Sequence, residues 1–165
     1  MSKMYMPTSI YPKKQWQKYK MKSSHFLAHP LTTVILAAGL GTRMKSSIPK
    51  VLHKIYDKPI IQYVVDSVKN LRAENNIVVI SPQTEEIKNF LEGYPVTFAI
   101  QKEPKGTGDA LKAAGEKLKG FNGVILVLNG DTPLISTSTL QKFLKLHRQN
   151  KEDLSIISFV AKGQH

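Results

Sequence analysis

Val34-Ile35-Leu36-Ala37-Ala38-Gly39-Leu40-Gly41-Thr42-Arg43-Met44, with Pro49-Lys50 just behind it, decides how this chain is read. The apolar run Val34–Leu36 has the character of a buried strand, and a glycine loop leaves its carboxyl end. Glycines let a backbone turn sharply and approach a ligand closely, with N–H groups free to meet phosphate oxygens. Arg43 and Lys50 add positive charge to the same loop, which suits an anion bearing several charges. The loop is not a P-loop, because no Gly-Lys-Ser/Thr follows the glycines. Nor is it a dinucleotide fingerprint, since Met44 stands where the third glycine belongs.

From residue 32 onward, strand-like and helix-like segments alternate. The first strand is expected at about Thr32–Ala37. Pro59 opens a helix whose apolar positions Ile60, Ile61, Val64, Val65, Val68 and Leu71 recur with helical spacing. Ile77–Ile80 reads as a strand, Glu85–Leu91 as a short helix and Val96–Ile100 as a third strand. Thr107 or Asp109 caps a helix running to Leu118. Val124–Leu128 is wholly apolar, as expected of a central parallel strand covered on both faces. Ser136 starts a helix using Leu140, Phe143 and Leu144, and a last strand runs from about Leu154 to Ala161. Repeated units of this kind predict an α/β fold, a Rossmann-like three-layer α/β/α sandwich around a mainly parallel sheet.

The 165 residues are one domain's worth of chain, with 41% hydrophobic and 22% charged residues, ordinary for a globular protein. No apolar run approaches the ~20 residues a membrane helix needs. The absence of cysteine excludes disulfides, thiolate zinc sites and cysteine nucleophiles, and is compatible with a reducing cytoplasm. The net charge is +12, yet residues 1–33 hold six lysines and no acid, so half of the excess sits in a tail. In the body, acids are interleaved with bases, which argues against nucleic acid as the partner, although the tail leaves contact with RNA, DNA or anionic lipid open. Residues 1–31 are expected to form a disordered basic appendage, ahead of an ordered part at 32–165. The tail lacks the continuous apolar core of a secretory signal and is lysine-rich where organellar presequences favour arginine.

In an open α/β sheet, ligands lie beyond the carboxyl ends of the strands, and three stretches fall there. The glycine loop is the first. The second is Gln101-Lys102-Glu103-Pro104-Lys105-Gly106-Thr107-Gly108-Asp109-Ala110, in which Gln101 offers a donor and an acceptor in one plane, fit to read a pyrimidine edge. The same residues also fit a plain turn and helix cap. The third is Asn129-Gly130-Asp131, where a carboxylate is placed to hold Mg²⁺ against phosphate oxygens, or to serve as a turn aspartate before Thr132-Pro133. A nucleotide site explains all three together. No histidine falls in these stretches, and His25, His29, His53, His147 and His165 read as structural or surface residues.

Leu36–Met44 with Pro49-Lys50-Val51-Leu52, Gln101 with Gly106-Thr107-Gly108-Asp109-Ala110, and Asn129-Gly130-Asp131-Thr132-Pro133-Leu134-Ile135 together resemble bacterial UDP-N-acetylglucosamine pyrophosphorylases. These are the uridylyltransferase halves of bifunctional enzymes that also acetylate glucosamine 1-phosphate. The likeness runs from about Thr32 to Gly163. It implies a fold of the nucleotide-diphospho-sugar transferase type and the reaction of UTP with N-acetylglucosamine 1-phosphate, giving UDP-N-acetylglucosamine and pyrophosphate with Mg²⁺.

By this resemblance Leu36, Ala37, Ala38, Gly39, Gly41 and Thr42 would contact the nucleotide, and Arg43 and Lys50 would bind its phosphates as the catalytic cations. Gln101 and Gly106, with Thr107 beside them, would read uracil. Asn129 and Gly130 would border the ribose, and Asp131 would bind the metal. The family's domain continues beyond His165 to a sugar-holding loop and a second metal ligand, so a truncated nucleotide-binding module without turnover is the alternative. The whole reading requires Gly41, Gln101 and Asp131 to converge on a single cavity.

Overall fold

The computed structural model of the chain describes residues 29–39, 41, 44–103 and 105–158. Most of the expected tail, residues 1–28, lies outside the described residues.

Among the described residues there are six strands: β1 (Leu31–Leu36), β2 (Lys54–Ile55), β3 (Lys58–Pro59), β4 (Asn75–Ile80), β5 (Thr97–Ile100) and β6 (Val124–Asn129). The helices are α1 (Ile60–Lys69), α2 (Ile87–Phe90), α3 (Thr107–Ala113) and α4 (Thr137–Asn150). Strands β5-β4-β1-β6 form one four-stranded sheet, parallel throughout, and β2-β3 form a small antiparallel hairpin. This is the α/β sandwich expected from the sequence, with helices on both faces.

Side-chain alternation along the strands divides the core into two layers. On one face Leu31, Ile35, Val78, Ile80, Leu126 and Leu128 pack against α1, α2 and α4. On the other, Val34, Ile77, Val79 and Ala99 meet Ala110 of α3 and Ala114 just past it. Helix α1 belongs to the first layer because Ile61, Val64, Val65 and Val68 recur every three or four residues, and all four are buried. Each such side chain contributes about 1.5–3 kcal/mol of transfer free energy. The hairpin is tied to α1 by Lys58, which donates to Asp66. That bond raises the Lys58 pKa above the ordinary lysine range, so its contribution persists below that range and is lost only as pH rises through the raised value.

Several expectations are corrected. Strand β6 is not covered on both faces: Leu126 and Leu128 are buried, but Ile125 and Val127 are 42% and 40% exposed. Their register with Thr32 and Val34 puts them on the α3 face, but α3 packs mainly over β1 and β4, and β6 is an edge strand of the described sheet. Residues 154–158 form no strand, and Leu154 and Ile156 are exposed. The end of that expected strand, 159–161, lies outside the described residues.

The helix expected at Glu85–Leu91 is a four-residue turn of helix, preceded by a 3₁₀ turn at Pro82–Thr84. Helix α3 is capped by Gly106, not by Thr107 or Asp109, and gives way at Ala114 to a 3₁₀ turn over Gly115–Leu118. Among the described residues no helix is long and apolar enough to cross a membrane.

At the start of α4 the Ser136 hydroxyl accepts the Thr139 N–H at 3.2 Å, as expected of an N-cap serine. Ser136→Ala removes that acceptor and should lower the unfolding free energy by about 1 kcal/mol. Urea unfolding checks this, with the midpoint falling and the slope unchanged.

Candidate active site

The strand register brings the three loops together. Leu36, the last residue of β1, pairs with Val79 on one side and Asn129 on the other. Ile80, the last residue of β4, pairs with Ile100, the last of β5. The ladder runs one bond further in each case: Ala37 N–H to Val79 O, Gln101 N–H to Ile80 O and Gly130 N–H to Leu36 O, all 2.8 Å. The segments after β1, β5 and β6 therefore leave the same rim.

A cavity of about 540 Å³ opens there, bordered by Leu36–Gly39, Gly41 and Lys50, by Gln101, Gly106 and Thr107, and by Asn129 and Asp131. Gly41, Gln101 and Asp131 thus face one space. Thr42 and Arg43 lie outside the described residues.

Close packing accounts for two of the glycines. Gly41 has φ of +64°, and a Cβ there would stand 2.5 Å from Lys50 Cβ. The glycine loop therefore lies directly on Lys50, whose own turn is anchored by the buried side chains Val51 and Leu52 and by the 2.9 Å bond from Leu52 N–H to Pro49 O. Gly130 is confined differently: a Cβ would meet Leu36 O at 2.9 Å and Ala37 Cβ at 3.2 Å. Any larger residue would push β6's end away from β1's.

Two polar contacts define the walls. Lys50 Nζ donates to Asp131 Oδ2 at 2.7 Å, joining the first loop to the third, with side chains 42% and 35% exposed. Gln101 is buried and its Nε2 donates to Asp109 Oδ2 at 2.8 Å and, more weakly, to Gly106 O at 3.3 Å.

The sequence reading left out Met44, Val51 and Ala110, which also line the cavity. Each stood in a stretch already singled out, Met44 at the end of the glycine loop, Val51 in Pro49-Lys50-Val51-Leu52 and Ala110 at the end of the Gly106 run, but none was assigned a ligand contact. None of the described histidines borders the cavity; His147 Nδ1 instead lies 2.9 Å from Ser155 Oγ.

Residues 33–165 match the family described as the MobA-like NTP transferase domain. The chain belongs to this family. It is 49% identical over 135 residues to the bifunctional protein GlmU of Thermodesulfovibrio yellowstonii, covering 82% of this chain and 29% of that protein. It thus spans less than a third of that relative's length, as the resemblance to the uridylyltransferase half implies.

Among solved structures, the 4-diphosphocytidyl-2C-methyl-D-erythritol synthase of Anaerococcus prevotii superimposes with a TM-score of 0.63 at 19% identity, over 77% of this chain and 54% of that one. A Mycobacterium tuberculosis protein solved in complex with manganese gives a TM-score of 0.59 at 18% identity, over 71% and 59%. Both share the fold, which is the nucleotide-diphospho-sugar transferase type.

The contact at Gly41 yields a test. Gly41→Ala combines an unfavourable positive φ, about 1–2 kcal/mol, with a clash against Lys50. It should lower the melting temperature by several degrees. Gly39→Ala, with no described atom within 4 Å of its Cβ, should leave it nearly unchanged; differential scanning fluorimetry of the two variants compares them.

Proposed function

We propose that this chain is the nucleotide-binding part of a sugar-phosphate nucleotidyltransferase, acting on UTP and N-acetylglucosamine 1-phosphate to give UDP-N-acetylglucosamine and pyrophosphate. The observation that carries the reading is the single cavity in which the glycine loop, Gln101 and the Lys50–Asp131 pair meet. The 49% identity to a GlmU over 135 residues supports it.

In this reading Leu36, Ala37, Ala38, Gly39 and Gly41 contact the nucleotide and Lys50 binds its phosphates, a role proposed also for Arg43. The uracil sits by Gln101, Gly106 and Thr107, and the ribose by Asn129 and Gly130. A sugar-phosphate oxygen, already ionised near neutral pH, attacks the α-phosphorus; the new P–O bond forms as the bond to the bridging oxygen breaks, and pyrophosphate leaves with that electron pair. No general base is required. The chain's contribution is to align the reacting groups and to place positive charge where negative charge accumulates.

Asp131 is the residue proposed to hold Mg²⁺. Among the described residues no group of three His, Cys, Asp or Glu converges on a point, so the protein alone supplies no closed metal cage. A single carboxylate at the edge of a polyphosphate cavity is nonetheless a donor set that magnesium accepts, because it completes its shell with phosphate oxygens and water. When bound, the ion would offset phosphate charge. Lys50 holds the carboxylate oriented at 2.7 Å until phosphate oxygens compete for its ammonium. The compartment proposed for the reaction is the cytoplasm, with which a chain free of cysteine is compatible.

Purified protein incubated with UTP, N-acetylglucosamine 1-phosphate and Mg²⁺ should release pyrophosphate. If nothing is released, the activity of this chain is rejected; a melting temperature raised by UTP with Mg²⁺ would then leave a binding module. Asp131→Asn should lower turnover at least about 100-fold. Its melting temperature should stay within a degree or two, because exposed ion pairs contribute only about 0–1 kcal/mol. Full turnover in that variant would remove Asp131 from the metal site.

A further inference from the structure

Asp109 does something that its place in the helix does not require. It stands in the first turn of α3, where a carboxylate ordinarily serves the free backbone N–H groups or the helix dipole. Here no side chain caps the helix. Its Oδ2 instead accepts from Gln101 Nε2 at 2.8 Å, and the second Nε2 hydrogen is directed to Gly106 O at 3.3 Å.

Both partners are acceptors, and this fixes the amide. A carboxylate oxygen and a peptide carbonyl can only receive hydrogen bonds, so the side of Gln101 facing them must be the NH₂. Flipping the amide would set its oxygen against two other oxygens. Gln101 is 4% exposed, which leaves it little room for another rotamer. The group left over is the amide oxygen, which has no hydrogen-bond partner among the described residues, on a side chain that borders the cavity. Beside it the Gly106 N–H, on the same cavity wall, likewise has no partner among the described residues. The wall therefore offers one acceptor next to one donor.

Resting on the uridine nucleotide reading above, we propose that Asp109 is a positioning residue that locks the Gln101 amide with its oxygen outward, so that the site selects a base carrying a ring imide N–H beside a carbonyl. Uracil presents that edge: N3–H meets the Gln101 oxygen, and the neighbouring carbonyl meets the Gly106 N–H. Cytosine in the same pose sets an unprotonated N3 against the Gln101 oxygen and an amino group against the Gly106 N–H. Both contacts become repulsive. Without Asp109 only the longer bond to Gly106 O opposes a turned amide, so the NH₂ is offered outward more often, and the NH₂ suits cytosine as well as it suits uracil's carbonyls. The discrimination is thus set one residue away from the base.

Calorimetric titration of the full chain with UTP, N3-methyl-UTP and CTP, each with Mg²⁺, tests this. The wild-type protein should bind UTP at least about tenfold more tightly than the other two, because a polar site rejects a partner that leaves its groups unpaired. Asp109→Ala should bring the UTP:CTP affinity ratio down by about tenfold, weakening UTP and strengthening CTP, with the melting temperature little changed. Asp109→Asn keeps an acceptor oxygen in reach of Gln101 and should restore much of the ratio. A merely structural role would weaken both nucleotides alike and leave the ratio standing.

A wild-type ratio unchanged in Asp109→Ala overturns the inference, as does wild-type protein that binds UTP and CTP equally. Protein that binds neither nucleotide overturns the nucleotide reading itself, and the inference with it. Normal UTP binding with an intact ratio in the variant removes Asp109 alone and leaves that reading in place.

Discussion

The parallel pairing of β1 with β4 on one side and β6 on the other is the constraint on which the rest of the molecule depends. Leu36 faces Val79 and Asn129 at once, so one register aligns all the strand ends that feed the cavity. A slip of one residue would turn Val34 and Ile35 to the wrong layers, exposing each to the other's neighbours. The same slip would move Gly130 away from Leu36 O, where only a residue without a side chain fits. Core and site are therefore specified by the same set of hydrogen bonds.

Upon that frame the loops are held by short-range packing more than by their own conformational preference. The first loop is seated on Lys50 through Gly41, and Lys50 is seated on the core through Val51 and Leu52, both buried. The second loop is closed by Gln101, whose backbone extends the sheet and whose side chain reaches back to Gly106 and Asp109. The third is a tight turn in which Thr132 Oγ1 donates to Asn129 O at 2.8 Å, holding Asp131 at the rim. Each loop therefore carries one residue that bonds outward to a ligand-facing wall and one that bonds inward to the scaffold.

What the sequence made legible follows the length of the signal. Helix α1 shows its apolar stripe over ten residues, and β1 and β4 are β-branched runs bounded by turn residues, so period and composition sufficed. The hairpin β2-β3 has two residues per strand, too few for any period to appear. The apolar run of β6 fits a strand covered on both faces equally well as one whose Ile125 and Val127 lie bare, because coverage depends on how far α3 extends across the sheet. The three loops could be recognised from glycines, charges and an amide at strand ends. The bond from Gln101 to Asp109 could not, since an aspartate three residues past Gly106 reads first as a helix-start residue.

The Lys50–Asp131 pair links the fold to the chemistry in a way neither residue does alone. Both side chains remain more than a third exposed, so their attraction is screened and contributes little to holding the chain folded. Its hydrogen bond therefore serves mainly to keep two opposite charges from drifting apart at an otherwise open rim. A polyphosphate entering the cavity presents the ammonium with several competing oxygens, and a divalent cation presents the carboxylate with a stronger charge. Exchanging one modest contact for two strong ones is favourable only when both newcomers arrive together. Under the proposed reading, that makes the metal–nucleotide complex, and not either component alone, the species for which the site is arranged.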